Sequence, residues 1–133
     1  IINEQDETYS PLALYFIIDN NLVSNKEAVN SLFDILINKM SLKPEIKNLI
    51  IYKKALYNSN FLTESELIKM LNPIINIESI WSSHALYLIG EYFYSNNEKE
   101  KSKEFFEKIL SLSNANSDVK SKAHRRINRD LSE

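Results

Sequence analysis

The sequence predicts an all-α fold of about seven helices, paired into hairpins and closed by a C-terminal capping helix. Three observations carry that expectation. One glycine and three prolines in 133 residues are too few for a chain of strands and tight turns. Helix-start signals recur, with Ser or Thr followed three residues later by Glu ahead of an apolar run. Apolar and small residues also repeat at one pair of offsets, 39 and 35 residues.

The elements follow in order. Ser10-Pro11 sets a first helix, with Ser as cap and Pro at the first helical position, where its missing N–H costs nothing. Leu12, Tyr15, Phe16 and Ile18 continue it at helical spacing to about Leu22. Ser24-Asn25-Lys26-Glu27 is a capping box opening a second helix to about Met40, carrying Ala28, Leu32, Ile35 and Leu36. Pro44 lies in the first turn of a third helix, which reaches about Tyr57. Thr63-Glu64-Ser65-Glu66 opens a fourth, and Pro73 is expected to end or kink it near Asn72. A fifth spans about Ser79 to Tyr94. A sixth, capped by Asn97 or its neighbour, spans about Glu98 to Leu112, and a seventh runs from about Ser117 to Leu131. No linker separates them, so residues 1–133 read as one domain, with hairpins at about 9–40, 43–76 and 78–112 and a capping helix at about 116–131.

The repeat aligns Phe16, Ala55 and Gly90 in the first helices. In the second helices it aligns Ala28, Leu67 and Ser102, then Leu32, Leu71 and Phe106. The columns Ile35, Ile74, Ile109 and Leu36, Ile75, Leu110 follow. Small residues at Ala55, Gly90, Ala28 and Ser102 let paired helices approach closely, and the apolar residues after them pack each hairpin on the next. A plain helical bundle is the competing architecture. The last helix carries Val119, Ala123, Ile127 and Leu131 as a narrow apolar stripe, flanked by Lys120, Lys122, Arg125, Arg126 and Arg129. One apolar and one solvated face suit a terminal cap. The other reading of those cations is a nucleic-acid or lipid contact, which Asp118, Asp130 and Glu133 dilute.

Composition excludes several classes. Sixteen basic against eighteen acidic residues give a net charge of −2, so no global field draws nucleic acid or an anionic membrane. Without cysteine there is no disulfide framework, thiolate nucleophile or zinc–sulfur site. A single glycine rules out a Gly-rich phosphate loop. The longest apolar run, Leu12–Ile18, is far short of the ~18 residues of a membrane helix. The chain opens Ile1-Ile2-Asn3 without an initiator Met, which is expected of a processed or excised piece. His84 and His124 are forty residues apart with no ligand spacing around either, and acidic pairs such as Glu64/Glu66 sit in first turns, where they complement the helix dipole. The expectation is therefore no enzyme, no cofactor and no metal.

What remains is a surface. In stacked hairpins the first helices line the concave side. By the repeat register its exposed positions are Tyr52, Leu56 and Ser59 in the second unit and His84, Tyr87, Glu91 and Tyr94 in the third, with Ala13, Ile17 and Asn20 in the first. Seven tyrosines are available, and three of them fall here. Tyrosine offers contact area and a hydrogen-bonding tip at small entropy cost. The alternative is that these rings fill the interior of the stack or cover a neighbouring unit.

Ile89-Gly90-x-x-Phe93 followed by Ser102, Phe106 and Ile109 resembles the tetratricopeptide pattern. That resemblance implies hairpins stacked in a right-handed superhelix. The strings Tyr9-x-x-Leu12-Ala13, Leu71-Asn72-Pro73-Ile74, Trp81-x-x-x-Ala85-Leu86-x-Leu88-Ile89-Gly90 and Lys103-Glu104-Phe105-Phe106, with the basic last helix, go further. Together they resemble the tetratricopeptide-like domain of the ancillary SecYEG translocon subunit family in its alphaproteobacterial form, over residues 9–131. Members have one amino-terminal membrane helix and a periplasmic repeat domain, associate with the translocon and are linked to periplasmic chaperone networks. The resemblance implies a protein on the periplasmic side of the inner membrane, anchored through a segment absent from this chain. Its partners would be translocon subunits or secreted-protein clients, not nucleic acid. It carries over no functional residue; Trp81, Ala85 and Gly90 match as packing positions. Two other classes stay open from the residues themselves: a soluble cytoplasmic adaptor or self-assembling module, and a helical regulator using the basic last helix on nucleic acid.

Overall fold

The structure is a computed structural model that describes residues 26–39 and 42–131. The expected first helix, and the capping residues Ser24 and Asn25 of the second, lie outside the described residues. Among the described residues the chain is all-helical, without a strand: α1 Lys26–Lys39, α2 Pro44–Asn58, α3 Glu64–Ile75, α4 Ser82–Ser95, α5 Lys99–Ser111 and α6 Ser117–Arg125. A 3-10 turn, Ser59–Phe61, follows α2, and a π-helical turn, Arg126–Asp130, continues α6. Contacts divide the chain into two compact units, Ile1–Lys54 and Ala55–Glu133, with the boundary inside α2.

In the first unit α1 buries Val29, Phe33 and Leu36, while α2 starts with Pro44 at its first position and buries Ile50. The expected inward set was Ala28, Leu32 and Ile35 with Leu36; Ala28 is exposed, and Leu32 and Ile35 are only half-buried. The face is rotated by one residue. Val29, Phe33 and Leu36 stand at i, i+4 and i+7, an equally good helical stripe. They align with Leu67, Leu71 and Ile74 and with Ser102, Phe106 and Ile109, all fully buried or within 1% of it. The 39-residue offset is thus 38 in the second helices, and the period between the later pair remains 35. Lys54 Nζ reaches Asp34 at 2.6 Å across this unit.

The second unit is clearer. Thr63 and Glu66 form the expected capping box: Thr63 Oγ1 accepts from Glu66 N–H at 3.2 Å, and Thr63 N–H donates to Glu66 Oε1 at 2.9 Å. Pro73 does not end α3 at Asn72; the helix runs on to Ile75. It sits in the last turn and withholds one N–H, and Asn76 N–H closes the helix on the Asn72 carbonyl at 3.1 Å. Helix α4 begins at Ser82 rather than Ser79. Residues 79–81 are a turn in which Ser79 Oγ accepts from Trp81 N–H at 3.1 Å. The Ser82 hydroxyl lies within reach of the Ile74 and Ile77 carbonyls at 2.9 and 3.0 Å, so the start of α4 serves the end of α3.

Of the two expected caps of α5, the neighbour Glu98 holds the N-cap position, without a side-chain capping bond, and Asn97 closes the preceding helix. Asn97 has φ 63° and terminates α4 in a Schellman motif: Glu98 N–H donates to Phe93 O at 2.9 Å and Asn97 N–H to Tyr94 O at 3.1 Å. Asparagine is the non-glycine residue that best tolerates the left-handed region. In a chain with one glycine it takes the role glycine usually has. Helix α5 then packs antiparallel along α4 as their most extensive contact, α3 packs on α4, and α6 packs on both α4 and α5.

Asn116 caps α6, its side-chain oxygen accepting from Asp118 and Val119 N–H at 3.0 and 3.1 Å. After Arg125 the helix widens, and Leu131 N–H donates to Arg126 O at 3.1 Å. The stripe explains why. A four-residue ladder advances about 40° per step on an ordinary α-helix, so Leu131 would drift off the face that holds Val119 and Ala123. The wider turn rotates less per residue, and Leu131 stays buried with them.

Candidate functional site

The face of α4 that the repeat register marks is built on a close approach of two helices. At Gly90 an added Cβ would lie 2.8 and 2.9 Å from two ring carbons of Phe106, inside any real contact distance. The Ser102 hydroxyl donates to the Gly90 carbonyl at 2.8 Å in the same buried junction. The Phe106 ring therefore lies directly on the α4 backbone. It also meets Tyr87 one turn earlier, with ring centroids 5.1 Å apart.

From this junction the side chains Tyr87, Glu91 and Tyr94 emerge at i, i+4 and i+7 on one stripe of α4. The C-terminal turn covers them. Arg126 Nε donates to Glu91 Oε1 at 2.7 Å, and its Nη1 donates to Asp130 Oδ2 at 2.6 Å. The guanidinium carbon lies 4.1 Å from the Tyr94 ring centroid and 5.7 Å from that of Phe106. Its side chain is only 15% exposed. Burial opposes the charge on Arg126, but the bonds to Asp130 and Glu91 outweigh it and hold its pKa above the ordinary value. Arg129 forks onto Asp130 at 2.8 and 3.0 Å. The bonds from Arg129 and then Arg126 hold the Asp130 carboxyl down at about 2. Burial, with the Glu91 charge next in weight, raises the Tyr87 phenol.

The other marked residues are placed differently. Ser59 starts the 3-10 turn, its hydroxyl donating to the Leu56 carbonyl at 3.0 Å. It lines a shallow depression with Asn60, Leu62, Leu88, Glu91 and Tyr92. Tyr92 pins the rim by donating to the Leu62 carbonyl at 2.8 Å. Leu56 is 44% exposed. His84 packs on Trp81, ring centroids 4.9 Å apart, at the first turn of α4. Tyr52 belongs to the first unit, where burial raises its phenol pKa. Ser59 and Glu91 therefore share one depression, Glu91 and Tyr94 share one cation, and Tyr87 packs on Phe106 beside them. Ala13, Ile17 and Asn20 lie outside the described residues.

Sequence reasoning passed over Arg126 and Asp130. Arg126 was grouped with the solvated cations of the last helix. Lys120, Lys122, Arg125 and Arg129 are indeed exposed, and Arg126 alone among these five is sunk against α4. The available signal was its position three residues after the buried Ala123, on the flank of the apolar stripe, with Asp130 one helical turn further on. Among the described residues no three His, Asp or Glu side chains gather as a metal-binding cluster, and no helix is long and apolar enough to cross a membrane. Compared with protein-family models, curated proteins and solved structures, the chain matches none.

Proposed function

We propose that this chain is a non-enzymatic protein-interaction scaffold of tetratricopeptide-like hairpins. The observation that carries this reading is the α4–α5 junction, where a small residue in the first helix receives the aromatic ring of the second and a second small residue bonds back to it. Gly90, Ser102 and Phe106 are the residues the repeat pattern requires at those places, and α6 packs on both helices as the first helix of a following unit would. A stack of this kind presents its first helices to partners, and on this reading Leu56, Ser59, His84, Tyr87, Glu91 and Tyr94 belong to that face of the second unit.

The scaffold is proposed to work on the periplasmic side of a bacterial inner membrane, anchored through a preceding segment and engaged with translocon subunits or secreted clients. That part rests on the local strings around Trp81–Gly90 and Lys103–Phe106. Protease accessibility of the full-length protein in intact cells and in spheroplasts tests the location. Protection in cells, digestion in spheroplasts and a membrane-bound stub are expected. Protection in spheroplasts with recovery in the soluble fraction would make it a cytoplasmic adaptor. Photo-crosslinking from Leu56 and Ser59 tests the face: specific adducts to translocon subunits or exported proteins are expected, and adducts only from control positions on Lys103 or Glu107 would remove it.

A further inference from the structure

Helix α4 presents a receptor for a guanidinium group. Glu91 supplies a carboxylate oxygen to Nε at 2.7 Å, Tyr94 supplies a ring face at 4.1 Å, and Tyr87 lies beside the carboxylate on Phe106. A ring face next to a carboxylate suits a planar, weakly hydrated cation with a rigid fork of donors. An ammonium group stacks less well and makes no fork.

The cation that fills this receptor comes on a lightly held segment. Residues Arg126–Asp130 form a π turn without a buried residue. Its apolar anchors are the half-buried Ile127 and the following Leu131, whereas α6 is anchored independently by Val119 and Ala123. Segments with few buried contacts open at a fraction of the cost of global unfolding.

We propose that the Tyr87–Glu91–Tyr94 face of α4 is a recognition site for an arginine side chain of a partner segment, occupied in cis by Arg126 as a competing ligand. The inference rests on the reading of this face as partner-binding and adds two things: the chemistry of the partner and the device that limits access. A tethered competitor acts at high effective concentration, so a weakly bound free arginine fails to displace it and an extended partner segment with added contacts succeeds.

The test uses the full chain and a blocked hexapeptide copying residues 126–131, followed by the ring resonances of Tyr87 and Tyr94 and by calorimetry. The Arg126→Ala chain is expected to bind the peptide saturably, and the unaltered chain roughly tenfold or more weakly, because its own residue competes. A peptide with citrulline in the first position is expected to lose roughly tenfold, as is the Arg126→Ala chain that also carries Glu91→Gln, because each removes one half of the charge pair. Equal binding by the unaltered and Arg126→Ala chains, equal binding of the citrulline peptide, or no saturable binding by a folded Arg126→Ala chain would each overturn the proposal. Should Arg126→Ala lose its helical circular dichroism, Asp130→Ala decides. That variant loosens the turn without touching α4, so a peptide affinity raised roughly threefold supports the proposal and an unchanged one overturns it. Crosslinking from Leu56 and Ser59 judges the scaffold reading separately, since neither residue contacts Arg126.

Discussion

Helix α4 is held by α5 along one stripe and by α6 with its terminal turn along another, and the two seams are made of different materials. The α5 seam is a backbone-to-ring contact: no side chain at Gly90, the Phe106 ring laid on it, and a buried serine hydroxyl closing the gap. The seam with the terminal turn is a charge-and-ring contact through one arginine beside two apolar anchors, Ile127 and Leu131, and its charged side chains keep part of their surface in water. Close packing of apolar groups is costly to disturb, because neighbours relax only partly around a void or an intrusion. Partly exposed ion pairs contribute little each and can exchange partners. One seam therefore defines the hairpin, and the other is suited to opening.

The sharpest break of that comparison is Phe106→Ala. The ring is fully buried and touches Gly90, Tyr87 and the guanidinium of Arg126, so its loss is expected to cost about 3–5 kcal/mol, read as a lower midpoint of urea denaturation. A cost near that of a surface substitution would mean that α4 and α5 do not meet as described.

Gly90→Ala sharpens it further, because two effects oppose each other. Alanine favours the helix by about 0.5–1 kcal/mol over glycine. The new methyl lies 2.8 Å from a ring that is itself locked in the core, and overpacking of this kind costs about 1–3 kcal/mol. The net effect is expected to be destabilising in the natural chain and to reverse sign when Phe106→Ala has already emptied the space. A double-mutant cycle measures the reversal, and simple additivity would contradict the contact. At about 1 kcal/mol, Ser102→Ala follows, since the Gly90 carbonyl loses a buried donor. On the other seam Arg126→Ala is expected to change global stability by about 1 kcal/mol or less. Amide exchange should nevertheless quicken at residues 127–131 and stay slow in α4 and α5. Uniform acceleration across the unit would show that the terminal turn is not a separate opening.

How much of this was legible in the sequence depends on what kind of residue carries the contact. The α4–α5 junction was readable because glycine, serine and phenylalanine at fixed spacing admit few other arrangements, and the Thr63–Glu66 box was readable because both halves of its bond are local. The register of α1 was not. Apolar residues there occupy Val29, Leu32, Phe33, Ile35 and Leu36, so two stripes one residue apart fit equally, and matching Leu to Leu and Ile to Ile selected the outer one. The π turn was missed because the ladder Val119–Ala123–Ile127–Leu131 was read as an ordinary helix, although its four-residue step already departs from 3.6. Arg126 was missed for a tertiary reason: which of five cations on one helix is sunk depends on the carboxylate and ring of another helix, and no local pattern states that.

The smallest expected effect separates the seams by pH. Gly90, Ser102 and Phe106 carry no group that titrates, so acid has no direct hold on the α5 junction. On the other seam Asp130 is the acid-sensitive member, its carboxyl lowered from 3.8 to about 2 by the hydrogen bonds from Arg129 and then Arg126. A carboxyl that is more acidic when folded contributes above its unfolded value, and that contribution is lost as pH falls through the folded one. Its bonds to Arg126 and Arg129 should thus be complete above about pH 4 and weaken toward about pH 2. Titration of the Asp130 carboxyl by carbon-detected NMR is expected to give a midpoint near 2, with the Tyr94 ring resonances moving in step as Arg126 loosens. A midpoint near 3.8 would mean that neither arginine holds Asp130 in solution. The polar hold of the terminal turn on α4 would then rest on Glu91 and Tyr94, beside the apolar anchors Ile127 and Leu131, and these are the same two groups the proposed arginine of a partner would have to win.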